Sequence, residues 1–315
     1  MRLILLLLLY SLYLSLPVSF SRAEEPSSEN SSTNSIADIE PELQKIIDKD
    51  NQAQAEVDKW IRDQMTLNKD SEIQMDDPTL PLRVRDHFSE IKQLYEDYLS
   101  THPDSMQGRL AYASFLSDIG NENDATVQWN KLIEKHPQNP VLWNNLGNSF
   151  AQRSAPEKAF SYYEEAIRLA PKEPLYVKNL AAVVYLFRRE AMDYYLLNEL
   201  QAIQLAQTLY EKAALMDPDD FVLATQLAQT CYYTIPFDAA KARAWWQKAY
   251  ELASDEPERQ GVILHFARIA ILNNQFDEAQ KQLDLITYKD YLPLKERLRE
   301  NLNQRQKIKR DSSTK

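Results

Sequence analysis

A chain of 315 residues with four glycines and one cysteine has little material for tight hairpin turns and none for an internal disulfide. Its formal net charge of −11 argues against the basic face that phosphate neutralisation requires, so no nucleic-acid partner is expected. No run of alternating apolar and polar residues stands out, and the composition predicts an all-α protein held together by packing.

Met1 and Arg2 precede an apolar run over residues 3–18, which at 16 residues falls short of the ~20 that a membrane-spanning helix needs. Pro17 breaks the end of the run, and Ser21 and Ala23 supply the small residues wanted before a cleavage site. Residues 1–23 are therefore expected to be an export signal, with a periplasmic or secreted mature chain and no more than transient membrane contact. No cysteine follows the apolar run, which excludes a bacterial lipoprotein anchor. Removing the signal takes away two arginines, and the more acidic remainder suits a soluble exported protein. Residues 24–40 carry too little apolar mass to fold and read as a disordered spacer. Asn30-Ser31-Ser32 within them is a glycosylation sequon that matters only in a eukaryotic host.

An amphipathic helix is predicted over 41–68, within a segment 41–75. Leu43, Ile46, Ile47, Ala53, Val57, Trp60, Ile61 and Met65 recur there at helical spacing. Asp50 and Gln64 interrupt what would otherwise be a heptad seam. Two uses fit this pattern: a short coiled coil that makes a homo-oligomer, or a helix folded back on the rest of the chain. The stretch from Asp76 to Pro81 breaks the helix and marks a boundary.

Pro103, Pro137 and Pro171 then fall 34 residues apart, with large and small residues recurring between them. The clearest copy runs from Pro140 to Pro171. It has Trp143, Leu146, Gly147 and Phe150 on a first helix, then Ala159, Tyr163 and Ala166 on a second, which a Ser154/Glu157 capping box is expected to start. The preceding copy has Tyr112, Ala113, Leu116, Ala125, Trp129 and Leu132. Before it stands a half-repeat with Ile91, Tyr95 and Tyr98. In the third copy Leu180, Ala181 and Val184 fit, but Ala206, Tyr210, Ala213 and Pro218 come 13 residues late, with an extra segment around 185–195. Without Gly or Pro, that segment is expected to extend the helices. Leu227, Ala228, Cys231, Ala242, Trp246 and Ala249 make a fourth copy, in which the lone thiol reads as a buried small residue. Phe266, Ala267, Ala270, Ala279, Leu283 and Ile286 make a fifth, and a polar helix over 293–309 reads as a terminal cap.

Residues 82–310 thus resemble the tetratricopeptide repeat family, with an expanded third repeat over 172–218. The resemblance implies an all-α helix-turn-helix solenoid, preceded here by the amphipathic helix. It also implies that the first helices line a concave groove which takes a protein or peptide partner. Peptide-binding candidates in that groove are Asn144, Asn145, Asn148, Lys178, Asn179, Tyr185, Gln226, Gln229, Tyr232, His265 and Arg268, with Thr225 beside them. At one equivalent position the residues read Asn145, Asn179, Gln226, His265. An amide both donates and accepts, so such a ladder can hold an extended backbone, as in some members of the family. The family's clamp for a C-terminal carboxylate is not matched: Leu110, Leu175 and Val222 stand where its cations are needed.

No phosphate loop, paired-cysteine motif or nucleophile elbow occurs, and no enzyme, cofactor or metal is expected. His102 and His136 sit one repeat apart, too far to share an ion at ~2 Å. The principal reading is a non-enzymatic exported scaffold or adaptor. The alternative is an oligomeric cell-envelope assembly or division-coordination factor, with a coiled coil at 41–68 and projecting repeats. An enzymatic reading would need Arg188, Arg189 and Glu190 of the insertion to build a pocket. Cleavage after Ala23 is checked by N-terminal sequencing of the protein from its native host: a start at Glu24 is expected, and a retained Met1 overturns the signal.

Overall fold

The computed structural model describes residues 40–70, 77 and 79–313; the expected export signal at 1–23, all but the last residue of the expected 24–40 spacer with its sequon, and Asp76 and Pro78 of the expected 76–81 boundary lie outside these. Among the described residues every regular element is helical. The chain divides into two compact units at 153/154.

Residues 40–153 form α1 (Pro41–Asp70), α2 (Leu80–Thr101), α3 (Met106–Asp118), α4 (Glu122–Lys135) and α5 (Pro140–Gln152). Of the two uses open to α1, the structure displays the fold-back: α1 packs on α2 and α3, burying Leu43, Ile46, Ala53 and Val57. Asp50, which breaks the heptad pattern, has a role in this packing. It is buried, and its carboxylate accepts from the Tyr95 hydroxyl of α2 at 2.9 Å and from Gln54 at 2.8 Å. A charged acceptor in such a bond contributes roughly 1.5–3 kcal/mol, and it ties α1 to one register on α2. At the other end of the helix, the Arg83 guanidinium lies 4.5 Å over Trp60.

The prolines of the 34-residue period mark one kind of turn. His102, His136, Ala170 and Asp217 are C-caps, and Pro103, Pro137, Pro171 and Pro218 follow them directly. Proline has no N–H to continue the helix. Two residues later Ser105, Asn139, Glu173 and Asp220 cap the next helix, their side chains accepting from Gly108, Val141, Leu175 and Leu223 N–H. Turns within repeats use a left-handed residue after the C-cap: Gly120 at φ 76°, Ser154 at φ 57° and Asn274 at φ 56°. The expected Ser154/Glu157 capping box is therefore absent. Ser154 serves the left-handed turn, and the next helix starts from Ala155 with Pro156 in its first turn and no side-chain cap.

Residues 154–313 form α6 (Pro156–Leu169), α7 (Pro174–Leu186), α8 (Arg188–Tyr195), α9 (Glu199–Met216), α10 (Phe221–Thr230), α11 (Ala239–Leu252), α12 (Glu256–Leu272), α13 (Phe276–Asp284) and α14 (Leu292–Ser313). The insertion is mostly a separate helix, α8, and not an extension of its neighbours. Leu196 in the left-handed region ends α8, and an Asn198/Gln201 capping box starts α9. Tyr194 and Tyr195 fasten α8 to α6: both rings pack on Phe160 and both hydroxyls donate to Glu164, at 3.2 and 2.8 Å. At the chain's end Leu298 and Leu302 of α14 cover Ile263, Leu264, Leu283 and Ile286, in the manner of a cap. No helix of the described residues is long and apolar enough to cross a membrane.

Gly108, in the first turn of α3, gives a test of the packing in the first unit. A Cβ there would collide with Cε1 of the Tyr98 ring, and that ring is fixed by hydrogen bonds to Glu40 and Ser105. Helix propensity alone predicts that Gly108→Ala stabilises by about 1 kcal/mol. Overpacking reverses the sign, and chemical denaturation should show a loss of roughly 1–3 kcal/mol.

Candidate functional site

The sequence candidates fall on the first helix of each repeat. Asn144, Asn145 and Asn148 belong to α5 in the first unit; the others belong to α7, α10 with its following 3₁₀ turn (Cys231–Tyr233), and α12 in the second. Seven of the eleven are buried: Asn144, Asn145, Asn148, Asn179, Gln226, Gln229 and His265. This corrects the picture of an amide ladder open to solvent. The first helices are enclosed almost all round, with Val183 and Val184 as deep as Ala181 and Leu227. A polar residue on such a helix lies among packed neighbours. Thr225 is buried too, its hydroxyl donating to Val222 O at 2.7 Å.

Five candidates make contacts inside the protein: Asn144 with Asn145, Lys178 with Asp220, and His265 with Tyr232. Asn144 Nδ2 donates to Asn145 Oδ1 at 3.3 Å. Lys178 Nζ lies 2.5 Å from Asp220, the carboxylate that caps α10, so its charge serves the joint between repeats. His265 lies flat on Trp246 of α11, with ring centroids 3.7 Å apart, and its Nδ1 is 3.0 Å from the Tyr232 hydroxyl. Burial, reinforced by the Arg268 charge, lowers the His265 pKa to about 3. It acts as a neutral core residue and does not line a groove.

Gln226 differs from these. It is 7% exposed, and its Oε1 accepts no hydrogen bond. Leaving a buried carbonyl oxygen without a donor costs ~1–3 kcal/mol. Tyr185 and Tyr232 each stand six residues beyond Asn179 and Gln226 respectively, Tyr185 in the last turn of α7 and Tyr232 in the 3₁₀ turn after α10. The Arg268 guanidinium lies 4.1 Å over the Tyr232 ring, and Arg188 lies 5.3 Å over Tyr185 and 5.0 Å over Tyr233. Burial and then the adjoining Tyr233 hydroxyl raise the Tyr185 pKa far above the usual phenol, against the opposing charges of Arg188 and Arg268. The rings stay neutral, and the arginines supply the charge. The second unit thus brings Gln226, Tyr185, Tyr232 and Arg268 onto neighbouring first helices. It adds two residues that sequence reasoning did not place there, Arg188 and Tyr233. The signal for Arg188 was its position, directly after the first helix where the insertion begins.

Among the described residues no group of three His, Cys, Asp or Glu could hold a metal ion. His102 and His136 are the C-caps of α2 and α4. Cys231 is buried, and desolvation raises its pKa to about 11.

The state of His265 has a measurable consequence. Its folded pKa of about 3 lies below the ordinary value of 6.5, so below pH 6.5 only the unfolded chain takes the proton. Stability falls by up to about 1.4 kcal/mol per pH unit across that window. Between pH 7 and 5 the wild type should lose about 2 kcal/mol more than His265→Phe in urea denaturation; equal losses would show that the ring is not buried neutral.

No family model and no curated protein matches the chain. Solved structures do. The fold is similar to the C-terminal part of a TPR repeat-containing protein of Cytophaga hutchinsonii, at TM-score 0.50 and 16% identity over 77% of this chain and 92% of that one. It is also similar to pilF of Pseudomonas aeruginosa, at TM-score 0.49 and 16% identity over 74% and 90%. YrrB, described as a TPR protein with an unusual peptide-binding site, is similar at TM-score 0.46 and 14% identity over 60% and 89%. The chain has the tetratricopeptide-type fold, an all-α solenoid of helix pairs.

Proposed function

We propose that this chain is a non-enzymatic, exported scaffold that binds an extended polypeptide segment along the first helices of its second unit. The observation that carries the reading is the Gln226 amide oxygen, buried on that face without a donor. A peptide backbone N–H is the donor such an acceptor suits, whatever the side chains of the peptide. Tyr185 and Tyr232, half-buried beside it, are the kind of rigid aromatic surface that anchors partner chains. Asn179 and Gln229 adjoin this face, while Lys178 and His265 support it from within. Oligomerisation through 41–68 forms no part of the reading, because the apolar face of α1 is used against α2 and α3.

Selection of a displayed random twelve-residue peptide library on the full chain tests the reading, with affinities of recovered peptides measured by fluorescence anisotropy. Tyr232→Ala should weaken a recovered peptide at least ten-fold. Gln226→Leu should weaken it several-fold while raising stability by about 1 kcal/mol, since the substitution removes an unsatisfied buried oxygen. Lys131→Ala, on the exposed side of α4, should change neither. Failure to recover any peptide, or binding indifferent to both groove substitutions, overturns the proposal.

A further inference from the structure

Arginine in an acidic protein ordinarily finds a carboxylate. In the second unit Arg168, Lys178, Lys241, Arg243, Lys248, Arg259 and Arg299 all do so. Arg188 and Arg268 have no such ion pair among the described residues, nor do Arg189, Arg297 and Arg305; what sets the two apart is that they are held against tyrosine rings. Both are half-buried. Arg188 spends one donor on the Tyr185 carbonyl, at 3.0 Å. Beyond that the two guanidiniums meet the faces of Tyr185, Tyr232 and Tyr233. Stacking on a ring holds the guanidinium plane and leaves its N–H edge free to fork onto a planar anion. Both charges act on the Tyr185 hydroxyl, so the two guanidiniums share one neighbourhood.

We propose that Arg188 and Arg268 form a subsite for the side-chain carboxylate of an Asp or Glu within the bound peptide. The inference rests on the groove reading and deepens it. Gln226 takes the peptide's backbone, and the arginine pair selects its charge. A half-desolvated guanidinium without a counter-ion is the environment in which a bidentate carboxylate bond is strongest. The anion comes from inside the peptide because the two arginines reach the Tyr185 hydroxyl from either side of α10: Arg188 opens the helix after α7, and Arg268 lies on α12. A segment lying across α7, α10 and α12 continues past the arginines in both directions. Arg188 belongs to the inserted helix, so the 13 additional residues of the third repeat acquire a purpose. They bring a second cation to the face that already holds Arg268.

The test uses the peptides recovered by display, in which the selected segment is fused at its C-terminus and offers no terminal carboxylate. An Asp or Glu should be enriched at one position. A synthetic peptide, acetylated and amidated at its ends, should lose at least ten-fold in affinity when that residue is changed to Gln or Asn. Arg188→Gln/Arg268→Gln should bind the acidic and amide peptides equally, with an unchanged far-UV circular dichroism spectrum. Should the double variant fail to fold, the acidic-versus-amide comparison on the wild type still decides. Recovered peptides without acid enrichment, a double variant that still prefers the acid, or binding that requires a free C-terminus each overturn the subsite while leaving the groove reading intact. Recovery of no peptide at all removes the groove itself.

Discussion

The close approach of helices at a column of alanines is the constraint on which the rest of the architecture depends. Ala125, Ala159, Ala206, Ala242 and Ala279 on the second helices are all fully buried, as are Ala113, Ala181, Ala228 and Ala267 on the first. Four residues after each second-helix alanine stands a large buried residue: Trp129, Tyr163, Tyr210, Trp246 and Leu283. The small residue lets backbones approach, and the large one fills the space that the approach leaves. With no disulfide available and only one cysteine, this alternation carries the stability of each unit. It also sets the condition for any binding face. Helices packed so tightly on both sides leave few positions where a polar atom can stay without a partner.

Seen this way, the insertion is a local solution to a packing problem. Thirteen added residues in a regular stack would displace every later helix if they lay in register. They form instead a helix of their own, closed at Leu196 in a left-handed conformation and pinned on α6 by two tyrosines that share Phe160 and Glu164. Ala206, Tyr210 and Ala213 then re-enter the column as deeply as their counterparts. What the insertion does change is the face beside Tyr185, where its first residue, Arg188, adds a charge.

The scaffold was legible in the sequence because its signals are local. A proline after the C-cap and a capping side chain two residues on need no knowledge of distant residues. The alanine and aromatic columns follow from the same period. The candidate site was legible only in part, and the reason is physical. Reading polar residues on a first helix as solvent-facing assumes an amphipathic helix, whereas α7, α10 and α12 are buried almost all round. Sequence therefore found Asn179, Gln226 and His265 at equivalent positions without distinguishing a core imidazole stacked on Trp246 from an amide left without a donor. Ser154 shows the same limit at a turn. Its spacing to Glu157 suits a capping box, but the left-handed residue that the turn requires takes precedence.

Two buried polar side chains separate what is built for folding from what is left for binding. Asp50 breaks an apolar face, and the fold meets its oxygens with Tyr95 and Gln54, so that α1 has one register on α2. Gln226 is buried as well, on a helix that also buries Thr225, Gln229 and Thr230, yet its oxygen is left unmet. Arg188 and Arg268 repeat the argument with charge: neither has a carboxylate partner among the described residues, and tyrosine faces hold both, with the Tyr185 carbonyl also accepting from Arg188. The unmet acceptor lies on α10, and the two cations lie on α8 and α12 of the same unit. A ligand that brings an N–H and a carboxylate together in one extended segment satisfies both, and a peptide containing Asp or Glu is the simplest molecule that does.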